Sequence, residues 1–153
     1  MKKTNVEKPR TILCYIDFTK SSYYLVEYAY QLSRLIDAEL YILHTVTDIK
    51  RAAGFYVPHI NTDKLEGEVI KAAKDKIYEI CSNVVGDKID SSHRLVKRGN
   101  PMEVINEIIE EKKIELLVLS HEISKGTLSG FRSDYAEKFM KNAKVPFLVL
   151  PVK

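Results

Sequence analysis

The sequence predicts a doubly wound α/β domain, a parallel five-stranded sheet with helices on both faces. Three observations predict it. Short apolar runs, too brief for helices, alternate with longer stretches whose apolar residues recur every three or four positions. That alternation yields five strands and four helices in succession, and each right-handed crossover then lays a helix on the sheet. The chain of 153 residues also fits one ordinary domain, for which one compact core is enough. Residues 1–10 are expected as an N-terminal extension and 11–153 as a single domain.

The first strand is expected at Thr11 to Asp17, TILCYID, rich in strand-forming residues. Leu25, Tyr28, Ala29, Leu32, Leu35 and Ile36 then mark a helix, with Ser21 and Ser22 placed to cap its start. Leu40 to Val46 gives the second strand. Leu65, Val69, Ala73, Ile77, Ile80 and Val84 draw the stripe of a long second helix, after a loop holding Gly54, Phe55, Tyr56 and Pro58. Asp90 to Lys97 is more polar and is expected as a third strand at a sheet edge. Asn100 caps and Pro101 opens a third helix, with Glu103 placed to fold back on the cap and Ile105, Ile108 and Ile109 turned inward. Leu116 to Leu119 is almost purely apolar, as a central parallel strand requires. Beyond a loop with Lys125, Gly126 and Gly130, Ala136, Phe139, Met140 and Ala143 form the fourth helix. Val145 to Leu150, closed by Pro151, is the fifth strand.

Composition excludes several classes. With 45% hydrophobic and 29% charged residues, the chain is neither a disordered tail, a collagen-like repeat nor a disulfide scaffold. Lysine and arginine exceed aspartate and glutamate by only 24 to 21, and the surplus is spread out, so no nucleic-acid partner is expected. The densest basic stretch, Lys2, Lys3, Lys8 and Arg10, suits a solvated extension. No run approaches the ~20 apolar residues of a membrane helix, and the N-terminus lacks a signal-peptide core; a cytoplasmic protein without membrane association is expected. Cys14 and Cys81 sit among apolar neighbours without a Cys-x-x-Cys or metal-ligand spacing, which suggests buried thiols and no metal site.

In such sheets ligands bind beyond the carboxyl ends of the strands, where strand order reverses. A dinucleotide fold would carry Gly-x-Gly-x-x-Gly after the first strand. This loop, Asp17-Phe18-Thr19-Lys20-Ser21-Ser22, has no glycine, and no Walker A sequence appears. A receiver domain needs an aspartate at the end of the third strand, where Lys97-Arg98 stands. Ser120-His121-Glu122 contains the residue classes of a hydrolase, but neighbours on a strand point apart and no Gly-x-Ser-x-Gly elbow surrounds Ser120; a hydrolase through Ser120 and His121 is the remote reading. His44 is expected as a satisfied structural histidine, and His59 and His93 as solvated. The loop of Phe55, Tyr56, Val57 and Pro58 is expected to fold back over the core.

Asp17-Phe18-Thr19, Leu43-His44, Gly99-Asn100-Pro101 and Val145-Pro146-Phe147-Leu148-Val149, in that order and spacing, make the chain resemble the universal stress proteins from Thr11 to Val152. The resemblance implies the strand order 3-2-1-4-5 and a homodimer formed through the C-terminal strand. It implies an ATP site as well. Asp17 matches the family aspartate that contacts adenine, and Thr45 lies where a strand-two residue lines the same cleft. Each has a plainer reading, Asp17 as a turn or cap residue and Thr45 as packing. The family's phosphate cradle, Gly-x2-Gly-x9-Gly-Ser/Thr, falls on Ser120, Ile123, Ser133 and Asp134, and all four depart from it. Ile123 puts a β-branched side chain where the backbone must approach the ligand, and Asp134 sets a carboxylate at the helix N-terminus, where it repels phosphate. The expected function is a non-enzymatic regulatory or binding protein of this type that holds no cofactor and acts on an unidentified protein partner. The alternative retains ATP or AMP, with Mg, through Asp17 and rearranged loop amides.

Overall fold

The computed structural model describes residues 5–48, 62–121 and 141–151, with backbone alone for Thr62 and His121. Its elements are β1 (Thr11–Tyr15), α1 (Ser21–Leu35), β2 (Glu39–Val46), α2 (Thr62–Val85), β3 (Arg94–Arg98), α3 (Pro101–Glu111), β4 (Leu116–His121) and β5 (Phe147–Pro151). The strands form one parallel sheet in the order β3-β2-β1-β4-β5. Residues 141–142 are helical; the rest of the expected fourth helix, Ala136 to Met140, lies outside the described residues, as do His59 and the loop 54–58.

Strand alternation sorts the core into two layers. Ile12, Cys14, Leu40, Ile42 and Val118 pack with Leu25, Val26 and Ala29 of α1 and with Ile77, Ile80 and Cys81 of α2. Leu13, Tyr15, Leu43, Leu117 and Leu119 face the other way, onto Val104, Ile105, Ile108 and Ile109 of α3. Both cysteines are buried free thiols; burial drives the Cys14 pKa well above its usual value and that of Cys81 up to about 11. No helix among the described residues is long and apolar enough to cross a membrane.

Asn100 caps α3 as expected, its Oδ1 accepting from the backbone N–H groups of Met102 and Glu103. Gly99 before it has φ +138°, and a Cβ there would stand 3.1 Å from Val104 Cγ2. Several local expectations are corrected. β1 stops at Tyr15, because Asp17 turns the chain. Ser21 and Ser22 do not cap α1 with their side chains; the Thr19 carbonyl accepts from the Ser22 N–H instead. β3 begins at Arg94, since Asp90 Oδ1 accepts from the Ser92 amide and hydroxyl and winds Ser91–His93 into a 3₁₀ turn. On α2, Leu65 is exposed and Glu66 is buried. His93 is not solvated alone: it shares a 2.9 Å hydrogen bond with Glu39 and lies against the Tyr41 ring.

Candidate functional site

Strand order reverses between β1 and β4, whose carboxyl ends diverge into Asp17 and Ser120. Asp17 and Ser120 border one recess there, together with Tyr15 and Leu119. The recess is small. Its volume is about 10 Å³, at most the room of one water molecule.

Asp17 is half-buried and its Oδ1 is committed to the turn. It accepts from the Thr19 N–H at 3.1 Å, the Thr19 hydroxyl at 2.6 Å and the Ser22 hydroxyl at 3.4 Å. This is an Asx-type turn, the side chain substituting for a backbone carbonyl. The turn holds Phe18 at φ +66°, a left-handed conformation that costs a residue with a Cβ about 1–2 kcal/mol. The Phe18 ring stacks on His44, centroids 3.6 Å apart and planes 17° apart. His44 donates its Nδ1 hydrogen to the Ile16 carbonyl at 2.8 Å. Burial lowers its pKa, against the raising effects of that bond and of the Asp17 charge, so the ring is neutral at pH 7. It is the structural histidine the sequence suggests.

Thr45 and Tyr15 share a 2.8 Å hydrogen bond, and both residues are buried. Tyr15 and Thr45 belong to neighbouring strands and point to the α3 face, with Tyr15 opposite Leu43 in the register. The phenol therefore lies beside the recess that a strand-two residue would otherwise line. Tyr15 was not among the sequence candidates. Parity supplied a signal: Leu13, Tyr15 and Asp17 share one face of the first strand, and so do Leu43 and Thr45 of the second.

On the opposite face of the same rim, Arg98 Nη1 donates to Glu66 Oε2 at 2.6 Å. Glu66 Oε1 is buried with no hydrogen-bond partner. Ser120 is half-buried at the end of β4. Ser120 and His121 are adjacent positions at the end of β4. Ile123, Ser133 and Asp134 lie outside the described residues. Among the described residues no group of three or more His, Cys, Asp or Glu side chains could hold a metal ion.

The order 3-2-1-4-5, with α1 and α2 on one face and α3 on the other, defines a doubly wound α/β protein with its switch point at Asp17 and Ser120. Residues 8–151 match the model of the universal stress protein family, and the chain belongs to that family. It is 30% identical over 95 residues to universal stress protein A homolog 2 of Coxiella burnetii, a match that spans 62% of this chain and 62% of that protein. A universal stress family protein from Burkholderia pseudomallei superposes with a TM-score of 0.65 at 16% identity, over 94% of this chain and 96% of that one. A universal stress protein solved in complex with cAMP superposes with a TM-score of 0.54 at 17% identity, over 95% and 98%. At those identities the two structures speak for the fold.

Proposed function

We propose that this chain is a non-enzymatic binding protein of the universal stress type whose switch-point cleft is closed to adenosine by its own Tyr15. The hydrogen bond between Tyr15 and Thr45 carries the reading. A nucleoside at the family position would need the Asp17 carboxylate, the strand-two side chain and open space between them. Among the described residues, Asp17 Oδ1 serves the turn, the Thr45 hydroxyl bonds Tyr15, and the recess that Tyr15 and Asp17 border is about 10 Å³. Arranged in this way, the described residues do not suit a bound nucleoside. Isothermal titration calorimetry with Mg-ATP, AMP and cAMP tests the reading. Binding no tighter than roughly millimolar is expected, and micromolar binding of any of the three overturns it. The second reading, retention of an adenine nucleotide through Asp17, draws on the cAMP complex of a family member and predicts that micromolar result.

The same reading includes a homodimer through β5. Within the sheet β5 pairs only with β4, so its outer edge is free among the described residues. Its sequence, FLVLP, is uncharged, which leaves an edge open to pairing. Light scattering at tens of micromolar is expected to give a dimer.

A further inference from the structure

A second cluster of reactive side chains lies at the amino end of the sheet, away from the recess at Asp17 and Ser120. Its members are Asp90, Ser92, His93 and Glu39, with Tyr41 beside them. Pairing of Ile42 with Arg94 fixes the level at which β3 joins β2, and so sets the turn Ser91–His93 beside the first residues of β2. There His93 Nε2 and Glu39 Oε1 are 2.9 Å apart, and Ser92 Oγ and His93 Nδ1 are 3.1 Å apart. Asp90 Oδ1 winds the turn, which brings the hydroxyl and the imidazole of neighbouring residues within reach.

Each part has a defined task. Glu39 Oε1 also accepts from the Tyr41 hydroxyl at 3.4 Å, and the Tyr41 ring lies against the imidazole, centroids 4.5 Å apart. A carboxylate can only accept, so Glu39 selects the tautomer with its hydrogen on Nε2 and leaves the Nδ1 lone pair toward Ser92. Ser92 is exposed, and His93 keeps 26% of its side chain in solvent; a reagent reaches the hydroxyl without any opening of the core. A nucleophile, a base and a group that orients the base thus stand within hydrogen-bond reach, in that order.

We propose that Ser92 is an acyl-acceptor site, its hydroxyl activated by His93 and Glu39 toward an activated ester or thioester. In the step, Ser92 Oγ bonds the acyl carbon while the bond from that carbon to the leaving oxygen or sulfur breaks. The hydroxyl proton passes to His93 Nδ1 and on to the leaving group or water, and nothing is oxidised or reduced. Glu39 is a positioning residue that holds the ring and offsets the charge developing on it. Two features limit the site to a single transfer. The backbone N–H groups of Ser92 and His93 are spent on Asp90, so neither serves a tetrahedral oxyanion. The Ser92 hydroxyl also lies 2.7 Å from Asp90 Oδ1, a rival for its hydrogen. The product is a chain with one acylated serine, so this site and the reading of the cleft stand or fall separately.

p-Nitrophenyl acetate is the probe. The full chain should release p-nitrophenolate and gain one acetyl group, mapped by peptide mass to Ser92 and removed by hydroxylamine, as an ester is and a lysine amide is not. His93→Gly should slow acetylation of Ser92 about a hundredfold, and added imidazole should restore it, a rescue that a merely structural histidine would not show. Glu39→Gln should slow the step, and Glu39→Asp should recover part of the rate. Asp90→Asn keeps an oxygen for the Ser92 amide and weakens the rival acceptor, so it should speed the reaction; slowing there would make Asp90 the base and overturn the relay. Circular dichroism checks that each variant is folded, and His93→Gln replaces His93→Gly if the glycine variant is not. No ester on Ser92 in the parent, or an equal rate in the folded His93 variant, overturns the proposal.

Discussion

Two polar contacts lie at the same rim of the sheet on opposite faces, one joining Tyr15 of β1 to Thr45 of β2 and one joining Arg98 of β3 to Glu66 of α2, and they are built differently. Tyr15 and Thr45 are neutral, and their hydroxyls share one hydrogen bond at 2.8 Å. Glu66 and Arg98 are charged. Arg98 reaches water with 44% of its side chain exposed, while Glu66, at 10%, keeps one oxygen without a partner. A satisfied neutral pair fixes side chains at little cost, whereas a buried charge with an unmet oxygen carries a desolvation penalty that its ion pair only partly offsets. The rim thus carries a neutral hydrogen-bonded pair on the cleft face and a partly compensated charge on the α2 face.

The largest effect should come from removing the body of the satisfied pair. Tyr15→Ala deletes a buried aromatic ring and is expected to cost about 3–5 kcal/mol, seen as a Tm drop of roughly 10 °C. A loss below about 1 kcal/mol would mean that the ring packs loosely and that the recess is not closed by it.

On the charged side, Arg98→Ala strips Glu66 of its cation. A loss of about 2–3 kcal/mol is expected, less than for a fully buried pair because Arg98 is half in water. Glu66→Leu should stay within about 1 kcal/mol of the parent, since it removes the orphan oxygen and frees Arg98 to solvent. Urea unfolding of both variants sharpens the comparison. If Glu66→Leu is the worse of the two, the ion pair is a net stabiliser and the contrast with Tyr15 and Thr45 fails.

Much of this fold was legible because its signals are local. The apolar periodicity of TILCYID, of α3 and of β4 falls within a single element, and the Asn100 cap needs only the next three residues. The switch-point location followed as well, since strand succession decides it. The side-chain contacts that join separate elements are not local. Tyr15 meets Thr45 thirty residues on, Glu66 meets Arg98 across thirty-two, and His93 meets Glu39 across fifty-four. A tyrosine in a strand or a glutamate one place off an apolar stripe is ordinary by composition, so its partner appears only once the register is known. β3 starts later than its sequence pattern suggests for the opposite reason. Asp90 and Ser92 make a local turn whose side-chain bonds outcompete the ladder.

The hydroxyls of the neutral pair can be separated from its bulk. Tyr15→Phe and Thr45→Val should each cost about 1 kcal/mol, because each removes the hydrogen bond that joins the two buried hydroxyls. The double variant should cost clearly less than the sum, as both polar groups are then gone. Simple additivity in this cycle would place the two hydroxyls in separate environments.

The smallest net effect is expected at Phe18, where two terms oppose. Phe18→Gly relieves the φ +66° conformation, worth about 1–2 kcal/mol, and loses the stack on His44 while adding unfolded-state freedom, together of similar size. Phe18→Ala loses the stack and keeps the strain, so the glycine variant should be the more stable of the two by about 1 kcal/mol. pH supplies a second readout. Burial lowers the His44 pKa, so the unfolded chain takes up a proton first as pH falls through about 6.5. Stability is then fully present above that value and declines as pH drops toward the folded pKa. Uncovering the imidazole in Phe18→Gly should bring the folded pKa back toward the unfolded one and flatten this decline. Urea midpoints for parent and variant between about pH 7 and 5 measure it. Equal slopes would show that the Phe18 ring is not what dehydrates His44.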